Sequence, residues 1–367
     1  MKFRAAVLNK VNEPLTLDTL EMAPLAPTDV LVRVKASGLC HTDLEVIQGS
    51  LAYPLPIVLG HEGAGVVQEV GSAVTQVRPG DHVILSWNPH CGHCFYCERD
   101  QPILCEPFTR HQPKGLLLDG SSRMRRGQEP VHHYSVTSTH AEYTVVPESG
   151  AIAVSKEIPF DRACIIGCGV MTGVGAAVRK AQVEAGSNVV VIGCGAVGLN
   201  AVQGARLADA GRIIAIDVGK AKLDRARLFG ATDGVDASQG DVAARIREMT
   251  AGRGADYVFE AAGRQDTFPL SVEAVRPGGQ VVWLGKINAN EEVRFRWGSL
   301  MGERAIVRSS YGNARPRRDF PWLVDEYLKG RLKLDELITR RIRLEDINDG
   351  FAVLARGEGI RIVVMFD

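Results

Sequence analysis

V-V-V-I-G-C-G-A-V-G, residues Val189–Gly198, decides the fold. Val189 to Ile192 is a short apolar run without alternation, the pattern of a parallel strand buried on both faces. Gly193, Gly195 and Gly198 follow in the spacing G-x-G-x-x-G, and Leu199 to Asp209 continues in good helix formers. Each glycine has a task. The first permits the tight turn, the second lets a pyrophosphate approach the backbone, and the third lets the helix pack closely on the strand. The helix start offers free N–H groups and a positive dipole end to phosphates. Ordinary glycine-rich strand-to-helix turns share this spacing, so the motif is read with its context.

Arg212 to Ile216 is a second apolar strand, and it ends in Asp217, about twenty residues beyond the last glycine. A carboxylate there accepts hydrogen bonds from ribose hydroxyls and repels a 2′-phosphate. Val218, Gly219 and Lys220 follow, with no arginine directly after the acid, so the pattern favours NAD over NADP.

Strand and helix alternate from about residue 170. Helix-like stretches lie near 219–229 and 240–250, with strands at 256–260, Gln280 to Leu284 and Ala305 to Arg308. This is a doubly wound sheet. The part before it is β-rich. Val30, Val32, Val34 and Ala36 recur at period two with Arg33 and Lys35 opposite, and Val66 to Val70 and His82 to Leu85 read as further strands. Residues 86–140 are irregular and long enough to need an internal staple. The tail from about 311 carries helices near 319–330 and 345–356 and a last strand, Ile360 to Phe366.

The chain has 367 residues, room for two domains, with 43 basic and 43 acidic side chains. That balance gives no electrostatic reason to expect nucleic acid or an anionic membrane as partner. The N-terminus, M-K-F-R-A-A-V-L-N-K, lacks the apolar core of a signal peptide, and no apolar run reads as membrane-spanning, so a cytoplasmic protein is expected. In such a compartment the eight cysteines are metal ligands or buried thiols rather than disulfides.

Cys91, Cys94, Cys97 and Cys105 read C-x2-C-x2-C-x7-C. Short spacings gather thiolates on one loop and the fourth closes a tetrahedron about zinc. Four thiolates saturate the ion, so this zinc is structural and staples the loop 91–105. The usual nucleic-acid-binding zinc ribbon differs, with two C-x2-C pairs far apart and a basic, aromatic-rich surface.

Cys40 stands in G-L-C-H-T-D, His61 in G-H-E-G-A-G and Cys168 in G-C-G-V-M-T-G. Gly60, His61, Glu62, Gly65, Gly71 and Val74 satisfy G-H-E-x2-G-x5-G-x2-V. With these motifs in order over nearly its whole length, the chain resembles the zinc-containing alcohol dehydrogenases of the medium-chain dehydrogenase/reductase family. The resemblance implies a Rossmann domain, 170–310, inserted into a β-rich GroES-like catalytic domain made of 1–169 and 311–367. It implies an active site in the cleft between them, with zinc from one side and nicotinamide from the other. Cys40, His61 and Cys168 then hold a catalytic zinc with one position left open, a formally neutral site able to stabilise an alkoxide. Glu62 matches an acid that approaches this metal, Asp43 the carboxylate that orients the histidine ligand, and Thr42 the hydroxyl that takes the alcohol's proton. Many relatives finish the proton relay with a histidine where this chain has Glu45, so Glu45 or solvent completes it, unless Glu45 is only a solvated carboxylate. For the cofactor, His41 and Arg361 match pyrophosphate contacts, Lys222 a residue near the adenosine ribose, and Thr172 one against the nicotinamide.

For the substrate, Trp87 matches a residue lining the pocket beside the zinc, and its indole offers a flat apolar wall. Leu51, Tyr134 and Lys286 are further candidates. Residues 114–120, K-G-L-L-L-D-G, resemble the long loop of dimeric and of glutathione-dependent formaldehyde-oxidising relatives, and a homodimer is implied. The formaldehyde-oxidising enzymes carry an acid before the histidine motif and an arginine after the last structural cysteine. Here Ser50–Leu55 contains no acid, and Thr109 stands at the arginine's place with Arg110 adjacent. The expectation is an NAD-dependent oxidation of primary, apolar or aromatic alcohols to aldehydes, with two zinc ions per chain. A thiol adduct of formaldehyde, glutathione- or mycothiol-type, is the alternative. Polyol dehydrogenases usually replace the third ligand by glutamate, and zinc-free quinone reductases lack these cysteines. A non-catalytic zinc- and NAD-binding sensor would not need the open metal site with its hydroxyl.

Overall fold

The Val189–Ile192 run forms the strand Asn188–Ile192, third from one edge of a six-stranded, all-parallel sheet. The computed structural model describes residues 1–367. Taking this strand as the first, Arg212–Asp217 as second, Asp233–Asp236 third, Ala255–Glu260 fourth, Val275–Trp283 fifth and Ala305–Arg308 sixth, the spatial order is 3-2-1-4-5-6. The order reverses between Asn188–Ile192 and Ala255–Glu260, where a crevice opens at the carboxyl ends of a doubly wound sheet. Val190, Ile192, Ile214, Ile216, Val258 and Val281 fill one core cluster of this sheet. Helix Ala196–Leu207 follows the glycine turn, and helix Lys220–Phe229 ends at Gly230, whose φ of 115° is the left-handed stop that glycine adopts freely.

The sheet lies in a unit spanning Gly169–Ala314; the second unit comprises Met1–Cys168 and Arg315–Asp367. The borders thus differ slightly from the 169/170 and 310/311 expected from sequence. Tyr311–Ala314 stays with the sheet because Gly312 packs tightly on Met171–Gly175: a Cβ on Gly312 would lie 2.5 Å from the Met171 carbonyl oxygen.

In the second unit, Asp29–Leu39 is the central strand. It pairs with Glu62–Val70, Tyr143–Pro147 and Arg361–Met365, within a sheet that also holds His82–Leu85, Ala151–Ala153 and Ile338–Ile342. Beside it a small closed barrel forms from Lys2–Leu8, Thr16–Met22, Met124–Arg126, Glu129–His133 and Ile57–Val58. The stretch read as irregular, 86–140, therefore contributes a hairpin to the barrel as well as short helices such as Glu106–His111. One helical run, Phe160–Ala181, has 22 residues and an 18-residue window with a mean hydropathy of 1.3, which corrects the expectation that no run reaches membrane-spanning length. Most of its apolar window, 78%, is buried within the protein, as in a core helix.

Candidate metal centres and dinucleotide loop

Cys40 caps the helix His41–Ile47, and Asp43 closes that cap by accepting the Cys40 amide at 3.1 Å. The other oxygen of Asp43 accepts the Gly60 amide at 3.1 Å and lies 3.2 Å from His61 Nδ1. With its Nδ1 held against the wholly buried Asp43 carboxyl group, His61 has Nε2 as the ring nitrogen left for a metal. Cys168 joins from the π-turn Ile166–Val170. Such turns insert one extra residue into a helix and recur at functional sites. Neighbouring Gly167 allows the close approach, since a Cβ there would meet the Leu85 carbonyl oxygen at 2.6 Å.

Donor atoms of Cys40, His61, Glu62 and Cys168 all lie within 4.8 Å of one another. The pair of sulfurs shares its proton unevenly: a hydrogen bond with Cys168 pulls the Cys40 thiol well below its ordinary range, and the same contact with burial drives Cys168 well above. Two soft sulfurs, an imidazole freed at one nitrogen and a carboxylate in reserve suit zinc. Glu62 is fully buried, and burial lifts its carboxyl to about 8 against the pull of Arg361, whose guanidinium is 3.2 Å away. Gly38 makes room for it, because a Cβ there would sit 2.3 Å from Glu62 Oε2. Thr42 Oγ1 is 3.7 Å from Cys40 Sγ. Glu45 is half-buried, and its backbone carbonyl accepts from the Ser50 hydroxyl and the Leu51 amide, both at 3.1 Å.

Cys91, Cys94, Cys97 and Cys105 also converge within 4.8 Å. The Cys91–Cys97 and Cys94–Cys97 sulfur separations are 4.0 and 3.5 Å. Tetrahedral zinc with bonds of ~2.3 Å sets sulfurs about 3.8 Å apart, so the cluster fits it. The Cys91 amide donates to Cys105 Sγ at 3.2 Å and the Glu106 amide to Cys94 Sγ at 3.5 Å. Burial opposes ionisation of Cys94, yet these amide and neighbouring thiol contacts bring it down to about 6.

In the sheet unit, Gly193 has φ 95°, and a Cβ there would meet the Ala262 amide nitrogen at 2.7 Å. At Gly198 it would fall 1.7 Å from the Gly193 carbonyl oxygen, whereas at Gly195 it would meet open space. Gly193 thus takes a left-handed turn that a side chain would strain, Gly198 allows close packing, and Gly195 leaves open space. Asp217 accepts the Cys194 amide at 2.7 Å with one oxygen and the Val218 amide at 2.7 Å with the other, and Lys222 stands 3.1 Å away. It thus pins the glycine loop, with lone pairs left on both oxygens. Glu260 was not assigned a role from sequence. Fully buried at its strand's end, it accepts the Ala262 and Gly263 amides at 2.9 Å and the Thr267 hydroxyl at 2.7 Å, fixing the turn that faces Gly193. Thr172 is half-buried in the helix Met171–Gly175.

Some expected roles shift. Tyr134 is only 1% exposed and sets its ring edge to face against His61 (5.6 Å) and Tyr53 (5.0 Å). It backs a metal ligand instead of walling an open pocket. Trp87 packs on Phe108 at 6.3 Å in the apolar cluster under the four-cysteine loop. Leu51 lies half-buried on the core that includes Leu44 and Tyr134. Arg361, matched to a pyrophosphate contact, is buried against Glu62. His41 and Lys286 are exposed on their own units.

Residues 26–157 match the family described as alcohol dehydrogenase GroES-like domain, and 196–329 the one described as zinc-binding dehydrogenase. The chain is 40% identical over 376 residues to the class-3 alcohol dehydrogenase of Cereibacter sphaeroides and 39% over 369 to the S-(hydroxymethyl)glutathione dehydrogenase of Escherichia coli, each covering both chains fully. The crystal structure of benzyl alcohol dehydrogenase from Acinetobacter calcoaceticus superposes with a TM-score of 0.95 at 30% identity, again over the whole of both chains. Cysteine and histidine donors gathered as zinc requires, on a GroES-like fold joined to a doubly wound sheet, make this chain a member of the zinc-containing alcohol dehydrogenases of the medium-chain dehydrogenase/reductase family.

Proposed function

We propose that this chain is an NAD-dependent dehydrogenase of primary alcohols with apolar or aromatic side chains, converting them reversibly to aldehydes. The observation that carries the reading is the buried donor set Cys40, His61, Glu62 and Cys168, with Asp43 on His61 and the Thr42 hydroxyl beside Cys40. When bound, zinc supplies Lewis acidity toward an alcohol oxygen and NAD supplies the hydride acceptor. Cys40, His61 and Cys168 hold the ion, and Asp43 keeps His61 in the ligating tautomer. Thr42 takes the substrate's hydroxyl proton and passes it outward, with Glu45 or solvent receiving it. Gly195 gives the pyrophosphate its approach, the helix start at Ala196 binds it, and Asp217 takes the ribose while repelling a 2′-phosphate.

The acid-free segment Ser50–Leu55, with Leu51, Tyr53 and Leu55 packed on the core, supports an uncharged substrate, and the likeness to a benzyl alcohol dehydrogenase agrees with it. A second reading, oxidation of a formaldehyde–thiol adduct, is favoured by the printed names of the two relatives that match over their full length. We further propose a cytoplasmic homodimer. Eight unpaired thiols suit a reducing compartment. The outer edge of Ala305–Arg308 is unpaired in its sheet, with Trp297 82% exposed nearby in sequence, a surface suited to a second copy. The test is reduction of NAD, with NADP as control, across ethanol, longer aliphatic and benzyl alcohols, polyols, and formaldehyde with glutathione or mycothiol. Turnover of benzyl or aliphatic alcohols that a chelator abolishes is expected. Turnover of the thiol adduct alone would replace this reading with the second, and silence with zinc and NAD bound would overturn both.

A further inference from the structure

Directly behind His61 lies a patch of buried polar side chains that the donor set does not use. Ser37, Thr137, Thr139 and His140 are all fully buried. Ser37 Oγ is 2.6 Å from Thr139 Oγ1 and 2.9 Å from His140 Nδ1. Both of those partners press on Gly60, the residue before the histidine ligand. A Cβ on Gly60 would meet His140 Nδ1 and Thr139 Oγ1 at 2.6 Å each, and its φ is 92°. The Gly60 carbonyl accepts the Thr139 amide at 2.9 Å and the Thr137 hydroxyl at 3.1 Å, while the Gly60 amide donates to Asp43. The two preceding peptides are gripped too: the His140 amide donates to the Leu59 carbonyl at 3.0 Å and the Ser138 hydroxyl to that of Val58 at 2.8 Å.

The segment that does this is itself strained. Ser135, Val136 and Ser138 have φ of 49°, 59° and 52°, in the left-handed region where a β-branched valine is rarely found. Backbone strain of this kind persists only where the surroundings over-determine it. Burying several hydroxyls and an imidazole is also costly unless each is hydrogen-bonded. Strain and polar burial therefore converge on one residue, Gly60, whose carbonyl belongs to the peptide leading into the ligand His61 and whose amide donates to Asp43.

We infer that Ser37, Thr139 and His140, with Thr137, are positioning residues that lock the Gly60–His61 peptide and so set how tightly the Cys40–His61–Cys168 site retains its metal. The inference rests on the zinc assignment and is independent of which alcohol is turned over. Hydrogen-bonded partners behind metal ligands typically change affinity by roughly ten- to a hundredfold.

The test uses the full-length zinc-loaded protein, a chromogenic chelator to follow release of the two zinc ions, and melting curves of the same samples. Thr139→Val and Ser37→Ala should release the zinc of the Cys40–His61–Cys168 site about tenfold faster or more. Release from the four-cysteine loop should be unchanged, and Thr139→Ser, which restores the hydroxyl, should return the wild-type rate. Equal acceleration at both zinc sites in step with a lower melting temperature would mark a merely structural role and overturn the inference. Unchanged release in both Thr139→Val and Ser37→Ala would overturn it as well. If zinc release responds as expected while every alcohol fails, the proposed reaction falls and the positioning role stands.

Discussion

Alanine placed at Gly195 and, separately, at Gly198 should separate the cofactor function of the glycine turn from its packing function. At Gly198 the new methyl carbon would lie 1.7 Å from the Gly193 carbonyl oxygen, about half a normal contact distance. Strand and helix must part by more than an ångström, in a core already close-packed. Overpacking of this severity costs about 3 kcal/mol, which for a unit of this size lowers the melting temperature by roughly 6–12 °C. At Gly195 nothing lies within 4 Å of the added carbon, and φ −76° with ψ −174° is open to alanine. Reduced freedom of the unfolded chain contributes about 0.4–1 kcal/mol of stability. Alanine is a poorer N-cap than glycine, and that loss is of similar size. The two effects nearly cancel, so Gly195→Ala should melt within a few degrees of the wild type. It should nonetheless bind NAD at least tenfold more weakly, because the methyl occupies the pyrophosphate's approach. Thermal melts and an equilibrium titration of NAD against tryptophan fluorescence measure both quantities. Wild-type NAD affinity in a folded Gly195→Ala protein would refute the cradle, and an unchanged melt for Gly198→Ala would refute the packing argument.

Two further outcomes concern the other unit. Cys97→Ser should leave one zinc per chain where metal analysis of the wild type should find two, and should lower the melting temperature, because Phe108, Leu117 and Val136 pack with that cluster; retention of both ions would sink the structural-zinc assignment. His133 is fully buried, and burial with the Arg123 charge holds its imidazole down to about 3. The unfolded chain takes up a proton near pH 6.5 that the folded form refuses, so this stability is whole above pH 7 and drains as the pH falls toward 3. About 2 kcal/mol is gone by pH 5. Denaturant melts of His133→Gln and wild type at each pH should therefore converge by about that amount between pH 7 and 5, and a constant gap would contradict the burial argument.

The four-cysteine ligands were legible because thiolate chemistry forces short, fixed spacings that survive in one dimension, whereas Cys40, His61 and Cys168, far apart in sequence, were legible only through the motifs that resemble the family's. The parallel strands were legible because burial on both faces leaves uninterrupted runs such as Val189–Ile192. Strand Asp29–Leu39 announced itself through alternation about Arg33. Barrel strands such as Thr16–Met22 and Met124–Arg126 did not. They are short, mixed in polarity, and stabilised by closure with segments more than a hundred residues away. Polar scaffolding was the least visible. Ser37, Thr139 and Glu260 look like solvent-facing residues until the chain folds back on them. The T-S-T-H run before strand Tyr143–Pro147 held a clue, since four polar residues inside an otherwise apolar domain need partners. Arg361 held another, as a lone cation inside the apolar run G-I-R-I-V-V.

The Glu62–Arg361 pair shows why such residues resist explanation by stability alone. Both side chains are under a tenth exposed, and taking each ion out of water costs several kcal/mol that an apolar pair would not incur. A well-packed leucine and methionine would hold this sheet as firmly, so folding does not account for the carboxylate. Charge at the metal site does. Two thiolates balance a zinc dication, and a lone buried carboxylate would upset that balance and raise its own cost of ionisation. Arg361 opposes the burial that lifts the Glu62 carboxyl to about 8, and so keeps within 4.8 Å of the other donors an oxygen that can ionise without altering the net charge of the site. The arginine is therefore a condition for having a glutamate there at all. That gives the buried cation a reason to exist which needs no contact with the cofactor.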